Sequence, residues 1–396
     1  MNYFGLYIVW LILLTFVTSA NSEEVYWTLT NDVSSSFESN YSLVRDENKV
    51  EKLSNRLTAI LGIDSTKTEN LFTLQHRYSH LSDPSISNGN SNFYVDYNLS
   101  HELSKRSNVN AQFSYSLQEA NADEYSEFGS FFILEERNKV KQRNLFNSKI
   151  SWTYFISPYW QNDIALTALN VSYEDGENTS LIDYENYGFN LNLYHFLSQK
   201  IDLFWSLSAS NFKPNPSNNL IQESNSIESN TVNLMMGSRY KLNEVTELSF
   251  SLGERFTDYS YSFAGEKSSN SGWLLTTSAK KQFERSSLDI NFSRSLEPSF
   301  SGNTVLRDRI EGAYTFYFQE NKRLKISYLS DKEKQEINKL NQEEKRQTFN
   351  LIYSYKFKKQ HKFYISLRHR IQSKETSNNS NGIHIGWLWS TQKIHL

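Results

Sequence analysis

The segment from Arg346 to Gln372 constrains this chain most. Phe349, Leu351, Tyr353, Tyr355 and Phe357 fall on one parity, and Thr348, Asn350, Ser354, Lys356 and Lys358 on the other. After Lys359-Gln360-His361 the alternation resumes, with Phe363, Ile365 and Leu367 set against Lys362, Ser366, Arg368 and Arg370. A strand sends successive side chains to opposite faces, so strict alternation defines two-faced strands. The polar break is short, which makes the two runs a β-hairpin. Each run has about 11 residues, against the ~5–6 common in soluble proteins. At ~3.3 Å per residue and a tilt near 40°, that length crosses the ~25 Å apolar band of an outer-membrane barrel. The large apolar groups then face lipid, and Ser, Asn, Lys and Arg face a wet lumen.

Composition agrees. Only 38% of the 396 residues are hydrophobic, yet 15% are aromatic. A large soluble core wants more aliphatic residues, whereas a barrel that is wet inside needs apolar groups at about half its strand positions. A net charge of −3 supplies no electrostatic argument for nucleic acid. With no Cys there is no disulfide, no thiolate metal site and no lipid-anchored N-terminal Cys. Leu6 to Val17 is almost unbroken apolar sequence, followed by the small, polar Thr18-Ser19-Ala20-Asn21-Ser22. This predicts a cleaved secretory leader over 1–22, although Met1 to Gly5 carries no Lys or Arg. An uncleaved anchor is the rival, but the run is shorter than the ~20 residues of a spanning helix.

The hairpin pattern recurs along the chain. Short polar breaks lie at Thr66-Lys67, Ser104 to Arg106, Ser157 to Tyr159, Ser198 to Lys200, Leu242 to Glu244, Arg285, Glu320 to Lys322 and Lys359-Gln360. Between them run longer polar segments: 41–52, 81–91, 120–146, 174–183, 213–228, 261–271, 298–305, 331–345 and 373–381. Eight short turns alternating with nine long loops predict an all-β fold. It is a single antiparallel transmembrane β-barrel over 23–396, of about 18 strands within a range of 14–20. Short turns face the periplasm, long loops face outward, and the location is the outer membrane of a Gram-negative bacterium. Proline agrees, because it cannot donate to a sheet ladder: Pro84, Pro214, Pro216 and Pro298 fall in long loops and Pro158 in a turn. Tyr159, Trp160, Phe196, Phe357 and Phe363, near the turns, suit an interfacial girdle or ordinary strand packing equally. The breaks recur about every 42 residues, which also matches a propeller blade. A blade needs four short strands per period, however, where this pattern has two long ones.

Catalytic signatures are lacking. There is no Gly-x-Ser-x-Gly, no phosphate loop and no His-Glu-x-x-His. His76 and His80, four apart on a strand, are separated by about 13 Å, too far to share a metal. No catalytic residue, metal site or cofactor is expected, and the chain is not an enzyme on this reading.

Two features bear on function. Ala120 to Asn144 is the longest loop and holds Phe131 and Phe132 beside Glu135, Glu136, Arg137 and Lys139. It is the third long loop, the one general porins fold inward as a constriction. A loop lying across the rim fits as well and is the simpler arrangement. The second feature is a cationic ladder: by parity Arg323, Lys325, Lys356, Lys358, Arg368 and Arg370 face the lumen. A one-sided basic wall favours small anionic solutes. A salt-bridge network with Glu247, Asp289 and Glu311 fits the same residues equally.

The layout resembles the β-barrel porins encoded with exopolysaccharide export systems. The likeness rests on the leader, on Asn31-Asp32-Val33 in an early strand, and on hairpins such as Tyr187 to Thr246 with its turn Tyr240 to Glu244. It implies a channel or porin-like protein passing or secreting polysaccharide across the outer membrane. Outer-membrane lipid, lipopolysaccharide and a periplasmic export machinery are the partners in that setting, and no catalytic residue is implied. Ile383, Ile385, Trp387 and Trp389 alternate well, but the chain ends at Leu396, not at the terminal aromatic that such barrels often carry. The alternative is a structural or adhesive barrel with a closed lumen that binds a partner through its extracellular loops.

Overall fold

The computed structural model describes residues 24–39, 49–82, 90–118, 142–174, 182–215, 227–261, 267–298, 304–335, 343–373 and 377–395. The leader expected over 1–22 lies outside them. In chain order the strands are β1 Glu24–Ser39, β2 Val50–Asp64, β3 Thr68–Leu81, β4 Asn90–Ser104, β5 Ser107–Gln118 and β6 Gln142–Ser157. They continue with β7 Trp160–Glu174, β8 Asp183–Phe196, β9 Ile201–Asn215, β10 Ile227–Asn243, β11 Thr246–Tyr261 and β12 Lys267–Gln282. The last are β13 Ser286–Pro298, β14 Thr304–Gln319, β15 Lys322–Gln335, β16 Glu343–Lys358, β17 His361–Ser373, β18 Ser377–Ser390 and the two-residue β19 Ile394–His395.

Each strand from β1 to β18 pairs antiparallel with its sequence neighbours, and β1 also pairs with β18. The sheet therefore closes into an 18-stranded barrel, the expected number. The short β19 continues that closure by pairing with Tyr26 and Trp27. All eight short turns stand where the polar breaks predict them. Local side chains build several. Ser104 Oγ accepts the Arg106 N–H at 3.3 Å, Ser157 Oγ that of Tyr159 at 3.2 Å, and Asn243 Oδ1 that of Val245 at 3.2 Å. Ser and Asn favour such turns because their oxygens capture a nearby backbone N–H. The incoming strand shifts register just before the turn in β4, β6, β10, β14 and β16.

The two faces follow the alternation. Phe349, Tyr353, Phe363, Ile365, Leu367, Ile383, Ile385 and Trp387 are exposed on the outside. Phe349 to Phe357 covers about 26 Å along β16, or about 20 Å along the barrel axis at a ~40° tilt, close to the apolar band of an outer-membrane barrel. β16 and β17 have 16 and 13 residues, more than the run of alternation predicts. The excess lies at the extracellular end, where outward positions become polar (Lys345, Gln347, Ser373) and leave the lipid. At the periplasmic rim Trp160 stacks on His195 at 4.2 Å, and Phe357 stacks on Phe363 at 5.2 Å. These form part of an outer girdle. Phe196, opposite Asp202, faces inward instead.

Closure is reinforced by side chains that cross it. In β18 the inward positions include Ser380, Gly382 and Gly386, so groups on β17 can reach over β18 to β1. Arg368 donates to Glu38 Oε2 at 2.9 Å, while Ser380 Oγ, at 3.0 Å, and Arg370 both donate to Glu38 Oε1. Lower down, Tyr364 OH donates to Asp32 Oδ1 at 2.9 Å. Its ring lies over Gly386, where a Cβ would fall 2.2 Å from Tyr364 Cζ. Thr391 extends the seam: its N–H donates to the Leu29 carbonyl and its Oγ1 accepts the Leu29 N–H, both at 2.8 Å.

Two seam variants and one control distant from the seam test these contacts. Gly386→Ala displaces the Tyr364 ring from Asp32, and losing that charge-assisted bond should cost about 1.5–3 kcal/mol. Gly312→Ala, where a Cβ meets nothing within 4 Å, should change stability by no more than about 0.5 kcal/mol. Glu38→Ala leaves Arg370 buried without its carboxylate, at a cost of about 3–5 kcal/mol. Urea unfolding in detergent micelles measures all three, and equal losses for Gly386→Ala and Gly312→Ala would contradict the seam geometry.

Candidate functional site

A barrel of 16–18 strands is wide enough to leave an aqueous interior. Here the inward positions divide into three surfaces. The first is an ionic belt at the extracellular level. Arg307 Nε meets Glu333 Oε1 at 2.9 Å, and the same guanidinium also pairs with Glu297. Arg309 pairs with Asp331 at 2.7 Å and with Glu311 at 3.4 Å. Gln372 donates to Glu344, and Glu38 holds Arg368 and Arg370. Other inward groups of this level are deeply buried, including Arg255 at 1% exposure and Arg143 at 2%. A buried guanidinium is tolerated only beside a carboxylate that meets it with good geometry, and the belt supplies these in alternation across β13 to β17 and β1.

The second surface is cationic and lies below the belt. Arg323 and Lys325 on β15, Lys356 on β16 and Lys362 on β17 share the inward parity. Lys356 stands directly opposite Lys362. Like charges in that position destabilise a sheet, so the packing of the wall does not account for them. Arg323 Nε donates to Ser354 Oγ at 3.0 Å. Among the described residues, Lys325, Lys356 and Lys362 have no ion-pair partner. The carboxylate beside Lys362, Asp32, is engaged by Tyr364.

The third surface is nearly neutral and belongs to β4 through β10. It presents Asn98, Asn110, Gln112, Asn190, Asn192 and Ser208 inward. A hollow of about 270 Å³ opens on it, lined by Asn98, Asn110, Gln112, Glu69 and Lys149 among others.

The residues singled out by sequence separate accordingly. Arg323, Lys325 and Lys356 stand together on the cationic wall. Arg368 and Arg370 face inward too, but both are engaged by the one carboxylate of Glu38. Lys358 follows the register shift of β16 and lies opposite His361, whose ring stacks outside on Trp387 at 5.6 Å. Parity cannot be carried across that shift. Phe131, Phe132, Glu135, Glu136, Arg137 and Lys139 lie outside the described residues. Of the acids weighed as partners, Glu311 pairs with Arg309 at 3.4 Å and Glu247 with Arg239 at 3.6 Å, while Asp289 stands opposite Lys280. Sequence reasoning missed Glu38, Asp331, Glu333 and Lys362 as lumen groups of consequence. Their inward parity was the available signal.

No family model matches the sequence, and no curated protein matches it. Solved structures match in fold. OccAB3 of Acinetobacter baumannii aligns over 93% of this chain and 99% of its own, at 9% identity and a TM-score of 0.48. The apoprotein form of the FrpB iron transporter of Neisseria meningitidis aligns over 88% of this chain at 10% identity and a TM-score of 0.51, and the chain spans 62% of FrpB. A mutant of the ferric enterobactin receptor PfeA of Pseudomonas aeruginosa aligns over 93% of this chain and 80% of its own, at 8% identity and a TM-score of 0.51. At these identities the likeness to FrpB and PfeA speaks for the fold alone. With the apolar belt outside and the polar surface inside, the chain is an outer-membrane β-barrel.

Proposed function

We propose that the protein is a non-enzymatic outer-membrane channel whose periplasmic half draws in anionic, hydroxyl-rich solutes. The observation that carries this reading is the set of lysines, Lys325, Lys356 and Lys362, facing the lumen without ion-pair partners among the described residues. Charges of one sign in a protein-walled passage focus their field and raise the local concentration of counter-charged solute. The amide wall opposite supports saccharides as the solute class, polysaccharide included. Asn and Gln each offer two N–H donors and a carbonyl acceptor, enough to replace water around sugar hydroxyls.

A second reading is favoured by the ionic belt. Inward groups at the extracellular level are buried, which suits a barrel whose lumen is closed and whose loops bind a partner. Conductance in a planar bilayer separates the two. The channel reading requires conductance, either spontaneous or on opening of the belt by a solute. Binding through the loops with no conductance under any condition favours the closed barrel.

For the channel, reversal potentials under a KCl gradient should show anion preference at low salt. The preference should fade as the screening length drops from ~10 Å at 0.1 M to ~3 Å at 1 M. Replacing Lys325, Lys356 and Lys362 together with Gln should remove most of it. Arg368→Ser should change it less, because that guanidinium is held against Glu38 in the seam and away from the lysine level. Cation preference in the parent protein would sink the proposal.

A further inference from the structure

The outer surface gains charge toward the extracellular end of β13 to β16. One row there reads Phe292, Ile310, Ser330, Gln347 from strand to strand. The row above it reads Arg294, Asp308, Lys332, Lys345, and the next reads Leu296, Leu306, Lys334, Glu343. The two upper rows together hold four basic groups and two carboxylates. Arg294 is matched by Asp308 at 3.4 Å and Lys332 by Glu343 at 2.9 Å. Lys334 and Lys345 are exposed and have no ion-pair partner among the described residues.

An apolar groove of about 380 Å³ runs beside this rim on the outside of β16, β17, β18 and β1. Phe37, Phe349, Leu351, Leu367 and Ile383 wall it. At its extracellular lip His369 Nδ1 and Asn381 Oδ1 lie 2.7 Å apart in a hydrogen bond. Phe349 sits four residues below Lys345 on the same face of β16, about 13 Å along the strand.

We propose that this surface binds one phosphorylated, multi-chain lipid of the outer leaflet. An acyl chain lies in the groove, and the headgroup phosphates meet Lys345, Lys334 and Lys332. The groove stands at the depth of hydrocarbon and the lysines at the depth of headgroups, as one amphipathic molecule requires. The charge selects the occupant. A net excess of two cations on the rim attracts a phosphorylated headgroup, since each basic group near an anionic lipid surface contributes favourably. A zwitterionic lipid would gain little from it.

Native mass spectrometry of the full protein in detergent tests this, with three probes: bis-phosphorylated lipid A, the same lipid dephosphorylated, and inorganic pyrophosphate. The parent should retain the bis-phosphorylated form about tenfold better than the dephosphorylated one. Lys334→Gln with Lys345→Gln should abolish that difference. Leu367→Trp, which fills the groove, should weaken both lipids, and pyrophosphate should not displace the bound lipid. Both lysines are exposed on the rim, so the Gln variant keeps the barrel fold even where the groove variant does not. Equal retention of the two lipids by the parent would overturn the proposal. So would undiminished retention in the Gln variant, or displacement by pyrophosphate, which would make this a site for free phosphate.

Discussion

The structure depends on the pairing of its first long strand with its last. In hydrocarbon there is no water for an unpaired backbone group, and each one costs several kcal/mol. A membrane sheet must therefore have no edge, and here β1 and β18 supply the missing ladder through pairs such as Thr30 with Ser390 and Phe37 with Ile383. The same seam orders the interior. Because Gly386 has no side chain, Tyr364 can cross β18 to Asp32, and Arg368 crosses the same strand at Gly382 to reach Glu38. Backbone closure and side-chain bridging act on the same three strands, β17, β18 and β1.

The bridging also determines which cations are available to a solute. Arg368 and Arg370 are drawn into the seam by Glu38, as Arg307 and Arg309 are drawn to Glu333 and Asp331. Lys325, Lys356 and Lys362 lie lower, on the same wall, and face the lumen. The interior thus carries an ionic belt above a lysine-lined level, with an amide-rich wall opposite.

Much of the fold was legible because its signals are local. Alternation of period two marks each strand face, and Ser and Asn mark the turns, so strand number and turn positions could be read from residues a few positions apart; Pro214 and Pro298, expected in loops, stand instead at the extracellular ends of β9 and β13. The contacts of the seam were not legible in that way. Arg368 and Glu38 are separated by 330 residues, and no local pattern announces that they meet. Parity assigns a side chain to a face but not to a partner, which is why the arginines of β17 fitted a cationic ladder and a salt-bridge network equally, and why Glu38 was not among the acids weighed. Parity also fails beyond a bulge, as at Lys358. The strands exceed their apolar runs because a barrel can continue above the lipid, where outward residues such as Lys345 need not be apolar.

Closure between β1 and β18 in the stated register is the claim on which all this rests. The chain has no native Cys, so a single engineered pair reports on it directly. Ser36 lies opposite His384 across the seam, within the Cα separation of about 4.4–6.8 Å that a disulfide allows. With both replaced by Cys, mild oxidation of the folded protein in membranes should give one intramolecular cross-link, read as a mobility shift that reductant reverses. Free thiols in the folded barrel, or a Cys at position 36 that cross-links instead to one placed at Ser380, would contradict the closure described.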